Sequence, residues 1–186
     1  RTLRSIAESR GEAFYRGELA DAIERAAIAG GGALRATDLA EHAPEWVTPT
    51  AQDYRHVTLH EIPPNGQGLA AQIGLGILQH LDVDPVDSVE AVHTQIEAMK
   101  IAIHAAQSHF ADPRAMRVTP EELLAPGSLE HAASTITDRA APLPPVALPV
   151  SHDTVYLTTA DADGMMVSFI QSNYMGFGSG IVIPGT

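Results

Sequence analysis

The 186-residue sequence predicts an α+β fold, mainly helical with a few antiparallel strands. Three observations carry that expectation. Apolar residues between 89 and 110 step by three and four, which is helical spacing. A stretch around residues 46–62 alternates in the manner of strands. Near the end, "TVYLTTA" and "MMVSFIQS" flank the turn sequence "DADG", which predicts an antiparallel hairpin. The hydrophobic content of 45% is enough to form a core.

Taken in order, residues 1–29 read as helices, with Leu19, Ile23 and Ala26 or Ala27 on one face. Gly30 to Gly32 form a natural stop. "RATDLAEHAPEW" fits a short helix opened by Thr37 or Asp38 and ended before Pro44. Strands are expected near 46–51 and 55–62, with Val57, Leu59 and Glu61 on one side and Thr58, His60 and Ile62 on the other.

"PPNGQGLAAQIGLGILQHL" opens with a turn and continues as a helix. Leu69, Ile73 and Ile77 step by four, beside Ala70, Gly74 and Leu78. Its glycines suit close helix packing, and their spacing does not match a phosphate-binding loop. In the next helix Asp87 and Glu90 make a capping box and Pro113 closes the segment. Its stripe of Val89, Val92, Ile96, Met99, Ile103, Ala106 and Phe110 reads as core. Two short helices are expected from Thr119 and from Ser128. Residues 139–151, "RAAPLPPVALPVS", hold four prolines and read as an extended surface linker.

Several function classes lose support. A formal charge of −12 offers no basic surface for nucleic acid. No apolar run approaches the ~18 residues of a membrane span, so the chain reads as soluble. With no cysteine, disulfides, thiolate metal sites and a cysteine nucleophile are excluded. A single lysine, Lys100, stands against ten arginines, which reads as genome composition. Arg1 falls inside a helical pattern, so the chain reads as part of something longer. That leaves the compartment open between cytoplasmic and periplasmic or secreted.

The nine histidines show no metal-ligand spacing. His56 and His60 are placed on one strand face, far apart along it, and His104 and His109 do not share a helix face well. Asp161 and Asp163 suggest calcium, but the turn accounts for them. Ser151, His152 and Asp153 are adjacent on an extended chain and point in different directions, so they make no triad.

What remains is the hairpin. If its turn spans Asp161 to Gly164, Thr154 falls opposite Gln171 or, with a glycine bulge, opposite Ser172. Two hydroxyls then meet at the open end of the hairpin, which a plain sheet edge would also explain. A threonine hydroxyl needs a base to act as nucleophile. An α-amino group on the same residue, with a pKa of ~7.7–8.0, can serve. That requires Thr154 to become N-terminal by attacking the carbonyl before it, and a mobile proline-rich segment upstream suits the departure of the released end.

These residues carry a resemblance to a known family. "DTVYLTTADADG" followed by "FGSGIVIPGT" resembles the start of the small subunit of the gamma-glutamyltranspeptidase family of N-terminal-nucleophile hydrolases. "AFYRGELADAI", "GGALRATDLAEHAPEWVTPTAQDYRHVTLHEIPPNGQGLAA" and "EAMKIAIHAAQSHFADP" resemble the second half of its large subunit. The resemblance runs through nearly all of the chain, with the motifs in the family's order. It implies part of an αββα sandwich: residues 1–138 from the large subunit, a linker over 139–153, and the small subunit from 154 to 186. It implies cleavage between Asp153 and Thr154, and a mature heterodimer of large and small chains from one precursor.

The resemblance further implies that Thr154 takes the acyl group from a γ-glutamyl amide such as glutathione and passes it to water or to an amine, without any cofactor. Ser172 stands where the family has a second hydroxyl, usually threonine, that orients the nucleophile. The next matched position usually holds a substrate-binding asparagine. Here Tyr174 occupies it, with Asn173 one residue early, a departure that suits altered acyl specificity. The family's carboxylate-binding arginine falls upstream of Arg1 and its oxyanion-hole glycines downstream of Thr186. An oxyanion donor is worth ~2.7–4 kcal/mol in the transition state. The 186 residues alone are therefore expected to be catalytically silent. The alternatives to a γ-glutamyl enzyme are an acylase with another acyl substrate and a non-catalytic structural module that keeps the fold.

Overall fold

The structure is a computed structural model that describes residues 1–83, 87–142, 155–172 and 180–184. The chain divides into two compact units, residues 45–146 and residues 1–44 with 147–186.

Among its described residues, the first of these units has a hairpin and four helices. β1 (Thr50–Tyr54) and β2 (Val57–Glu61) pair antiparallel, with Gln52 opposite Leu59. The strand expected from 46 begins only at Thr50. Pro49 cannot donate to a ladder, and Trp46 is fully exposed. The second strand starts at Val57, because Arg55 takes a left-handed φ of 55° and, with His56, makes the turn. His56 therefore does not share a strand with His60.

α5 (Gly68–Leu78) is the centre of this unit. Leu69, Ile73, Ile77 and Leu78 are buried, and they are joined by Val83, Ala98, Ala102, Leu129 and Ala133. Full burial of one leucine or isoleucine side chain contributes about 1.5–3 kcal/mol. Gly76 marks a close approach: a β-carbon there would lie 2.6 Å from Leu129 Cδ1 and 3.1 Å from Gln52 Cδ, so those side chains would have to shift to admit one. Gln72 is wholly buried but satisfied. Its Oε1 accepts the Thr50 hydroxyl at 2.7 Å, and its Nε2 donates to the Leu59 carbonyl at 3.0 Å. One side chain thus ties both strands to the helix.

α6 (Val89–His109) is capped by Ser88, whose hydroxyl accepts the Ala91 N–H at 3.0 Å, one residue later than the expected Asp87 cap. The expected core stripe is the larger correction. Ala106 and Phe110 of the stripe pack against the core, but Val92, Ile96 and Ile103 are about half exposed, Met99 is 37% exposed and Val89 80%, whereas Ala91, Ala98 and Ala102 are buried. The short alanine face is what lets α6 lie close to glycine-containing α5. The bulky stripe lies roughly 100° further round, where one step along a helix places the next residue. α7 (Pro120–Leu123) opens with the Thr119–Glu122 capping box, and α8 (Pro126–Ser134) starts with proline in its first turn.

The other unit contains α1 (Thr2–Glu8), α2 (Glu12–Tyr15), α3 (Glu18–Ala29) and α4 (Ala36–Glu41), together with β3 (Val155–Ala160) and β4 (Met166–Gln171). Its one buried hydrophobic residue among those described is Ala20. The expected helical run over 1–29 is broken twice, first where Arg10 and Gly11 take left-handed φ values of 53° and 95°. α4 starts at Ala36 with Arg35 as its N-cap, ahead of both expected openers, Thr37 and Asp38. Asp38 stands in the first turn, where its carboxylate accepts the Arg35 N–H at 2.7 Å.

Candidate active site

β3 and β4 form because β-branched and aromatic residues alternate across a turn built for a tight reversal. The Asp161 carboxylate accepts the N–H groups of Asp163 at 3.0 Å and Met165 at 2.9 Å. The Asp161 N–H donates to the Met165 carbonyl at 3.0 Å. Gly164 sits at φ 87°, a conformation only glycine adopts without strain. These bonds give Asp161 a turn-forming role. Among the described residues no cluster of His, Cys, Asp or Glu could hold a metal ion.

The turn sets the register. Ala160 pairs with Met166, Thr158 with Ser168 and Val155 with Gln171. Gln171 is thus the partner of Val155, and the pairing of Thr154 lies outside the described residues. Tyr156 Oη and Ser168 Oγ lie 2.7 Å apart across the strands. Ser172 follows β4 directly and is exposed. Asp153, Thr154, Asn173 and Tyr174 lie outside the described residues, as do Ser151 and His152. Every described residue of both strands is exposed, although the pair carries Val155, Leu157, Val167, Phe169 and Ile170.

A second polar constellation went unread in the sequence. In the unit of residues 45–146, Glu97 Oε1 and Lys100 Nζ form an ion pair at 2.7 Å on α6. Glu97 is 4% exposed and Glu97 Oε2 accepts the Ala141 N–H at 3.1 Å. The Lys100 hydrogen bond holds the Glu97 carboxyl below the usual carboxylate range, against the upward push of burial, with the Ala141 N–H adding to the lowering. The available signal was the chain's single lysine, set three residues after a glutamate in an alanine-rich helix.

Comparison with known proteins agrees with the motifs. The family model for gamma-glutamyltranspeptidase matches residues 1–186. The oxamate amidohydrolase proenzyme of Klebsiella pneumoniae is 36% identical over all of this chain and 35% of its own length. A glutathione hydrolase-like proenzyme of Bacillus subtilis is 34% identical, again over all of this chain and 35% of its own. Among solved structures, cephalosporin acylase from Bacillus halodurans superposes with a TM-score of 0.87 and 49% identity, over 99% of this chain and 33% of that one. The chain belongs to the gamma-glutamyltranspeptidase family. It spans about a third of the length of these relatives, and its mixture of helices and antiparallel strands is the α+β fold the sequence predicts.

Proposed function

We propose that this chain is the central part of a self-processing acyltransferase or amidohydrolase whose nucleophile is Thr154. Residues 1–138 belong to the large subunit, 139–153 form the linker, and the small subunit begins at Thr154. The observation that carries the reading is the register of β3–β4. Val155 pairs with Gln171, and the same register continued by one residue would set Thr154 against Ser172.

The chemistry then runs in two stages. The Thr154 hydroxyl attacks the Asp153 carbonyl carbon, the peptide C–N bond breaks, and the acyl group moves from nitrogen to oxygen. Water hydrolyses the resulting ester, which frees the Asp153 carboxylate and the Thr154 α-amine. That amine becomes the base. It takes the hydroxyl proton as Thr154 attacks a substrate amide and delivers it to the departing amine. Water or an amine acceptor then releases the acyl group. Ser172 orients the nucleophile.

The donor expected from the family is a γ-glutamyl amide, such as glutathione, read by residues around Asn173 and Tyr174. A second reading is an acylase with another donor. It is favoured by Tyr174 in the position where the family usually has asparagine, and by relatives named for oxamate and cephalosporin. Hydrolysis of γ-glutamyl-anilide, simple acyl-anilides and oxamate by the full-length protein separates the two. A γ-glutamyl preference supports the first reading, and equal or better turnover of the others supports the second. Amidase activity that survives Thr154→Ala sinks both.

A further inference from the structure

α6 has a third face besides its alanine face and its apolar stripe. His93, Glu97 and Lys100 succeed one another at spacings of four and three, and all three hold the same backbone segment. His93 Nε2 lies 2.8 Å from the Thr137 carbonyl oxygen. Glu97 accepts the Ala141 N–H, and Lys100 Nζ donates to the Ala141 carbonyl at 2.5 Å. The Lys100 side chain is only 14% exposed.

Removing a charge pair from water costs free energy that a well-packed apolar pair would not require. What an apolar pair cannot do is hold a peptide N–H and a peptide C=O at once. Both backbone groups of Ala141 are held, so the direction in which the chain leaves is set there. Pro142 follows, which keeps Ala141 extended and fixes the next φ.

Residues 142–153 separate this anchor from Thr154, and they include Pro142, Pro144, Pro145 and Pro149. A flexible chain loses its direction within a few residues. A proline-rich chain is stiffer and keeps it for several. We propose that Glu97 and Lys100 are positioning residues for self-cleavage, anchoring the linker that delivers the Asp153–Thr154 bond to its reacting geometry. This rests on the reading that the chain cuts before Thr154.

Loop length and direction make different predictions. Freeing residue 141 while His93 still holds residue 137 lengthens the tether from 12 to 16 residues. By loop-closure entropy alone that slows cleavage only about 1.5-fold. Lost direction adds to this, and the total expected slowing is about tenfold.

The test is a time course of self-cleavage in the full-length precursor, read by intact mass. Glu97→Ala and Lys100→Met are expected to slow the cut about tenfold. Glu97→Gln, which can still accept the Ala141 N–H, retains most of the rate. Activity per cut molecule stays unchanged, a split that general damage to the fold would not produce. Four flexible residues inserted after Pro142 reproduce the slowing with α6 untouched, so misfolding of the α6 variants does not decide the matter. If the wild type cuts before Thr154 and the insertion variant, with every folded α6 variant, cuts within twofold of it, the anchor is structural only and the inference is overturned. If the wild type never cuts there, the functional reading itself fails and takes the inference with it.

Discussion

In the β1–β2 hairpin, alternate residues of β1 turn toward α5, and Gln72 reaches from that helix to Thr50 on one strand and Leu59 on the other. In the β3–β4 hairpin every described residue is exposed on both faces, although its composition is the more apolar of the two. Each register follows a local turn: Arg55 at positive φ in one hairpin, Asp161 and Gly164 in the other. Local chemistry is therefore enough to set pairing, and it says nothing of what will cover the faces. Hairpins that bury no face are marginal in water, so β3–β4 draws little stability from these 186 residues.

The comparison can be broken most strongly at the core. Ile77→Ala is expected to destabilise the 186-residue chain by about 2–5 kcal/mol, whereas Ile170→Ala, at a position 65% exposed, stays within about 0.5 kcal/mol. Urea unfolding followed by circular dichroism measures both, and equal costs would show that β3–β4 is packed after all. Gln72→Ala comes next. It leaves the Leu59 carbonyl and the Thr50 hydroxyl without their helix partner, at about 1–3 kcal/mol, and frees the β1–β2 amides to exchange while those of β3–β4 keep their rates.

Gly164→Ala tests the other hairpin. A β-carbon at φ 87° costs about 1 kcal/mol or more, and the exchange rate of the Asp161 amide is expected to rise while β1–β2 is unmoved. Acid has the smallest effect. The Glu97 carboxyl is held low, so its contribution is present above the usual carboxylate range and is lost as pH falls through its lowered value. Exchange of the Ala141 amide should rise over that window and stay flat above it.

Much of this was legible in the sequence. The turn at Asp161–Gly164, the α5 face of Leu69, Ile73 and Ile77, and the short helix opening at Thr119 are local patterns, and each stands where the spacing put it. The α6 stripe misled because periodicity weighs side-chain size, whereas contact here is set by how closely two backbones approach. Ala98 and Ala102 are buried in the core, and on α5 it is Gly74 that faces α6, next to Met99 and Ala102, while Gly76 faces Leu129 and Gln52. The Glu97–Lys100 hold on Ala141 spans more than forty residues of sequence, and no local pattern carries it. At the candidate site, the β3–β4 hairpin stands where the sequence put it, while the expectations for Thr154, Ser172, Asn173 and Tyr174 rest on motif resemblance.

The central claim is that the bond before Thr154 is cut by Thr154 itself. Its most direct test is the intact mass of the purified full-length protein, fresh and after long incubation, beside Thr154→Ala. The account predicts two polypeptides dividing between Asp153 and Thr154 in the wild type and one uncut chain in the variant. A wild type that stays whole, or a variant that divides at the same bond, would contradict it.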